Sequence, residues 1–377
     1  MRTQEKRGGR LKRWFLLCPA RHIILLLSIL GLALFYALRD QRGLVNAFVQ
    51  GVVRPYHRFI GRVTNIFSFS LAEWLYAALG VLVVVYIIYS IVQGVRKKNR
   101  LKRLYKVLFS LLTVALAIFA GYSLLWSSLY FADSFAERAG IDAKPVSAQE
   151  LYDAAVYYAD IVNASASRVQ RDENGVFDES LQDIFAVAPG IYADTAELFP
   201  ILAGRDLRPK PMVFSRLMSE INFTGFFFPF TGEANLNVDA PRAFLPATIA
   251  HELAHQRGVA FEDEANFVAV AACVTSGIPA YEYSGYLMGL IYLSNALYDT
   301  DRDAYDSVMG GLNDFVLRDL RDNSEYWTLM QSRHSAAAAA VNAVYDSYLK
   351  SNGQTQGIKS YGACVDLLVA YDLQGKS

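Results

Sequence analysis

Residues 71–95 read LAEWLYAALGVLVVVYIIYSIVQGV, a run whose one charged side chain is Glu73. A helix rises 1.5 Å per residue, so about 20 apolar residues cross the roughly 30 Å hydrocarbon core of a bilayer. The run predicts a transmembrane helix. Working outward, 107–132 (VLFSLLTVALAIFAGYSLLWSSLYFA) passes the same test, and 22–38 (HIILLLSILGLALFYAL) stands at its short end. Trp74, Tyr76, Trp126 and Tyr130 fall where interfacial aromatics belong. The first run has the basic flank of a signal peptide. Arg39, Asp40, Gln41 and Arg42 follow it, however, in place of a small-residue cleavage site, so it reads as a retained helix.

Charge divides the chain in two. Residues 1–132 hold 19 lysines and arginines against three acids, Glu5, Asp40 and Glu73, a net +16; the remainder holds 17 against 33, a net −16. The basic residues gather before the first run and between the second and third, where Arg96, Lys97, Lys98, Arg100, Lys102, Arg103 and Lys106 stand without an acid. Positive-inside bias puts both stretches in the cytoplasm and everything after about residue 132 outside. Between two spans, such a basic loop sets topology and does not point to nucleic acid. The first loop, with Arg54, Tyr56, His57, Arg58, Phe59 and Arg62, reads as an interfacial segment along the membrane, with His57 on its surface.

Of the 377 residues 53% are hydrophobic and 19% charged, which excludes a disordered chain and an ordinary soluble enzyme. A small-solute transporter fits badly, because the spans carry one acid, Glu73, near an interface and no buried charge pathway. The organisation expected is a membrane domain, 1–132, and an extracytoplasmic domain, 133–377.

The second domain reads as mainly α. Ser147 and Glu150 form a capping-box pair ahead of a helix over 146–164; 171–175 is a turn and 208–211 a linker. The segment 222–230 (NFTGFFFPF) is β-prone, and Pro229 restricts it to an edge strand or an irregular extended segment. Helices dominate from Pro246. Cys273 and Cys364 lie outside, either bridged or as two buried thiols.

The chemistry concentrates in 245–258, LPATIAHELAHQRG, a helix with Pro at its start and Gly at its end. The chain has only five histidines, so His251-Glu252-Leu253-Ala254-His255 is not a casual coincidence. Positions 251 and 255 project from one helix face, where two imidazoles can hold a tetrahedral zinc at about 2.0–2.1 Å. Glu252 then reaches a water at the open position as general base. Past Gly258, Glu262 and Glu264 open a second helix, and either can be a third ligand; periodicity does not choose. Asn266, four residues after Glu262, shares its face as an outer partner.

The HELAH pentapeptide followed by Glu262-x-x-Ala265-Asn266 resembles the zincin-like metallopeptidase superfamily on its glutamate-ligand, gluzincin, side. The second helix resembles that of membrane-bound HExxH peptidases and ImmA/IrrE-type proteases. That resemblance implies a zincin-like α+β ectodomain, Zn2+ held by His251, His255 and Glu262, and hydrolysis of a peptide or protein substrate. Over nearly its whole length the chain also resembles a bacterial three-span membrane-protein family, chiefly from Firmicutes, with PFTGEANxN (here 229–237) and HELAHQRG motifs. Only six residues separate His255 from Glu262, fewer than in most gluzincins, so the second helix must fold back tightly at Gly258.

Weaker candidates surround this core. The segment 225–237 precedes the metal helix as a substrate-binding edge strand does, with Glu233, Asn235 and Asn237 either as cleft residues or as a polar turn. Tyr283, Tyr286, His334, Arg257 and Arg333 are candidates for oxyanion or substrate contacts. A zinc-binding sensor or scaffold without turnover is the competing function.

Overall fold

A computed structural model of the chain describes residues 15–96, 100–204, 207–352 and 361–375. The basic positions 2–13, Lys97 and Lys98 lie outside them. The first elements are α1 (Pro19–Leu38), α2 (Arg42–Phe48), α3 (Arg54–Thr64), α4 (Leu71–Arg96) and α5 (Arg100–Leu125). Then come α6 (Phe135–Ala139), α7 (Ala148–Ser165), α8 (Leu181–Val187), α9 (Ala193–Leu198), β1 (Lys210–Pro211), α10 (Ser215–Glu220), β2 (Gly225–Phe228) and β3 (Glu233–Leu236). The chain closes with α11 (Leu245–Gln256), α12 (Glu262–Thr275), α13 (Pro279–Thr300), α14 (Arg302–Gly310), α15 (Asp314–Ser351) and α16 (Tyr361–Gly375). Two compact units result. One joins the stretch up to Val53 with Ala72–Ala132, the other Arg54–Leu71 with the chain from Asp133 onward.

In the first unit α1, α4 and α5 are each long and apolar enough to cross a membrane, which makes this a membrane protein. Leu27, Leu82 and Ile91 are exposed along them, as a lipid-facing surface requires. α1 packs against α5, where His22 Nε2 lies 2.8 Å from the Tyr105 hydroxyl and its ring 4.2 Å from that of Phe109. The third helix is displaced from the expected 107–132. It takes in Arg100–Lys106 at its start and gives way after Leu125 to a 3-10 turn, Ser127–Phe131. That turn buries Trp126 and Tyr130, which were expected at the lipid boundary.

The second unit is helical around a small sheet. α13 packs on α7 and α12, and α12 also packs on α11 and α16. Ser147 accepts from the Glu150 amide while Glu150 accepts from the Ser147 amide, so the capping box is present. The sheet order is β1-β3-β2, with β1 parallel and β2 antiparallel to β3. β2 is therefore an edge strand. Lys210, expected in a linker, is instead buried in β1, where its ammonium donates to the Phe67 carbonyl. Cys273 and Cys364 are separate buried thiols.

The first loop departs most from expectation. Residues 54–71 cover the β2–β3 hairpin: the Tyr56 hydroxyl donates to Phe230 O (2.9 Å), and that of Thr64 to Thr231 O (3.0 Å). His57, expected on the surface, is 4% exposed, edge-on to Phe227. A helix this amphipathic can hide one face on protein and still expose Phe59 on the other, and the turn after it exposes Ile66.

Burial pulls the His57 pKa from 6.5 down to about 4. The unfolded chain thus binds a proton that the folded chain refuses, and stability falls as pH drops from about 6.5 towards 4, by up to about 1.4 kcal/mol per pH unit. Melting of the full chain in uncharged detergent at pH 7 and pH 5 checks this. The loss between the two is expected to be smaller in His57→Gln, and an equal loss contradicts the burial effect.

Candidate metal centre

α11 runs from Leu245, with Pro246 in its first turn, and brings His251, Glu252 and His255 into the interior. Its last carbonyls are closed by a tight reversal, in which the Gly258 amide donates to His255 O (2.9 Å) and that of Val259 to Ala254 O (3.1 Å). Gly258 has φ +82°, the left-handed conformation that glycine adopts without a Cβ clash. α12 then starts at Glu262, whose carboxylate returns to the histidine face.

The ligand atoms of His251, His255 and Glu262 all lie within 4.8 Å of one another. His251 Nε2 is 3.3 Å from Glu262 Oε2, and His255 Nε2 is 3.7 Å from Oε1. Donors bonded to one tetrahedral zinc at about 2.05 Å stand about 3.3 Å apart, so the set fits that ion with little adjustment. Two further contacts fix these side chains. His255 Nδ1 donates to Val259 O (2.7 Å), turning Nε2 towards Glu262, and the Tyr345 hydroxyl donates to Glu262 Oε1 (2.5 Å). Partners of this kind set ring orientation and ligand basicity in metal sites.

Glu252 is 4% exposed, and its Oε2 has no hydrogen-bond partner. Burial raises its pKa to about 7, against the lowering pull of His251 and His255. Burial also works against ionising Glu262 and His255, yet their mutual attraction prevails. It holds the Glu262 carboxyl well below the usual range and lifts the His255 imidazole to about 9. β2 lies directly over the general-base candidate: a Cβ on Gly225 would stand 2.7 Å from Glu252 Oε1 and 2.8 Å from its Cγ.

The remaining expected residues are placed elsewhere. Glu264 accepts from the Phe135 amide (2.7 Å) and the Ala136 amide (2.9 Å), capping α6 rather than joining the cluster. Asn266 makes no hydrogen bond to the cluster among the described residues; Val259 and Tyr345 are the outer partners instead. Glu233 accepts from the Leu71 amide (3.2 Å) and Asn235 from the Ser70 hydroxyl (2.6 Å). Asn237 donates to Phe223 O (2.9 Å). All three are buried and brace the hairpin, so they line no cleft. Tyr283 donates to Asp319, and Tyr286 packs on Tyr158, leaving neither at the site. Arg257 donates to Leu202 O (3.0 Å) and lies over the Tyr192 ring, and Arg333 is exposed. The His334 side chain lies outside the described residues.

Sequence reading missed Tyr345, which sits 83 positions after the carboxylate it touches and carries no local signal. Gly225 did carry one, since a glycine inside a strand marks close approach of a neighbour.

The chain belongs to the DUF3810 family: the family described as "Protein of unknown function (DUF3810)" matches residues 48–369, from the end of α2 into α16. No curated protein and no solved structure matches it.

Gly225→Ala is expected to destabilise the full chain by about 1–3 kcal/mol, the usual cost of overpacking. In a Glu252→Ala background the same change should cost less than about 0.5 kcal/mol, because the clashing carboxylate is gone. Equal costs in both backgrounds, read from melting curves, would place the strain elsewhere.

Proposed function

We propose that this protein is a membrane-anchored zinc metallopeptidase of the gluzincin type, working on peptide substrates outside the cytoplasm of a bacterial cell. The observation that carries the reading is a three-ligand cluster, His251, His255 and Glu262, beside a buried carboxylate, Glu252, with an unpartnered oxygen. A site that only fixed structure would be closed by four protein ligands and would have no use for a buried base. The extracytoplasmic placement rests on the basic residues flanking the spans.

Zinc held by these ligands supplies Lewis acidity, polarising a carbonyl and lowering the pKa of water towards about 7. The protein's own part belongs to Glu252. Its carboxylate takes one proton from water as the water oxygen bonds to the peptide carbonyl carbon. It then delivers that proton to the amide nitrogen as the C–N bond breaks, giving an acid and an amine. Burial under β2 suits this role, because desolvation raises the Glu252 pKa and makes its carboxylate a better proton acceptor. Edge strand β2 offers backbone groups beside Glu252 on which an extended peptide can align.

The test is elemental analysis and peptide hydrolysis on the full chain in uncharged detergent. Wild type should carry one zinc, Glu262→Gln should lose it, and Glu252→Gln should keep it while hydrolysis drops about 10²–10⁴-fold. Glu264→Gln should keep the zinc and melt lower. Zinc without any hydrolysis sensitive to Glu252 would favour the sensor or scaffold, and a folded wild type without zinc under metal-replete conditions would refute the site.

Tyr345→Phe is expected to weaken zinc binding about 10–100-fold, the usual effect of removing an outer partner. Competition against a chromophoric chelator measures it, and unchanged affinity would show that the hydroxyl does not tune Glu262.

A further inference from the structure

The metal chemistry uses only the first half of HELAHQRG. The second half, Gln256-Arg257-Gly258, lines a cavity of about 150 Å3 on the other side of the turn, closed by Arg54, Arg58 and Arg62 of α3. The three α3 arginines are spaced at i, i+4 and i+8, so their guanidinium groups share one helix face. No acidic side chain is among the described residues that line the cavity.

Buried polar groups in this cavity are left without partners. Arg54 Nε, His57 Nε2 and Gln256 Oε1 are buried and unbonded, and His57 as a whole is 4% exposed. Unpaired buried charge is costly, and folded proteins seldom leave such groups unsatisfied. Burial, with repulsion from Arg138 and Arg58, pulls the Arg54 pKa down to about 10, so it remains charged at neutral pH. Gly258 leaves the room Arg54 needs: a Cβ there would lie 3.3 Å from Arg54 Nε. Arg257 is already engaged by Leu202 O and the Tyr192 ring, which leaves the α3 arginines and His57 as donors to a ligand.

We propose that this cavity is a binding site for a phosphate group, of the kind an anionic phospholipid headgroup carries. Guanidinium forks and a neutral imidazole N–H match tetrahedrally arranged acceptor oxygens, and Gln256 Oε1 accepts from a headgroup hydroxyl. The headgroup source follows from the same segment. Residues 54–71 also expose Phe59, Ile66, Phe67 and Phe69, apolar side chains suited to the acyl boundary, and run directly into the membrane-spanning α4. The site is independent of the metal centre, and its test reads binding alone.

The experiment is isothermal titration of the full chain in uncharged detergent with dihexanoyl phosphatidylglycerol, inorganic phosphate and dihexanoyl phosphatidylcholine. Wild type should bind phosphatidylglycerol saturably and at least tenfold more tightly than the zwitterionic lipid. Arg58→Gln, an exposed position whose change leaves the core intact, should weaken binding at least tenfold, and Arg54→Gln/Arg58→Gln should abolish it. Phosphate binding alongside the lipid identifies the phosphate group as sufficient; lipid binding alone identifies the headgroup as the source. Equal binding of both lipids, no binding at all, or affinity unchanged in Arg58→Gln would overturn the proposal.

Discussion

The reversal at Gly258 is the constraint on which the site depends. Two histidines share a helix face by periodicity alone, but the third candidate ligand, Glu262, must come back after only six residues. The left-handed Gly258 and the amide bonds to Ala254 O and His255 O accomplish that return. They also set the Val259 carbonyl against His255 Nδ1, so one turn both delivers Glu262 and orients the imidazole it faces.

Polar groups in the second unit fall into two populations. Glu233, Asn235, Asn237, Glu264 and Asp319 are buried and bonded to backbone or side-chain donors; they hold the hairpin, α6 and the Phe177 segment in place. Glu252 Oε2, Arg54 Nε, His57 Nε2 and Gln256 Oε1 are among the buried atoms left without partners. The first population is scaffold, and the leftover atoms named here gather on or beside α11. Energy favours satisfying every buried polar atom, so several open ones gathered around one helix leave partners for a ligand to supply.

Segment 54–71 shows how a chain can use the same residues twice. Its inward face completes the hydrogen bonding of the hairpin through Tyr56, Thr64 and Ser70, while its arginines collect around one cavity. A soluble fragment starting at residue 133 would therefore lack the partners of Asn235 and Glu233, and the full chain is the natural object of study.

Much of this was legible in the sequence. Three apolar runs fix three membrane-crossing helices because length and hydropathy are local properties. The HELAH spacing places two imidazoles and a carboxylate on one helix for the same reason. Local pattern could not choose between Glu262 and Glu264, two identical side chains in one helical turn. The choice came from what each meets: the histidines in one case, the amides of Phe135 and Ala136 in the other. Nor could it assign Glu233 and Asn235 to bracing, since their partners Leu71 and Ser70 stand more than 160 positions away. The sequence by itself determined the spans, the helical site and its candidate ligands. Only the tertiary structure decided that residues 54–71 belong with the second unit, that Tyr345 holds Glu262, and that the arginines share a cavity, because those outcomes depend on contacts between segments whose sequences carry no record of each other.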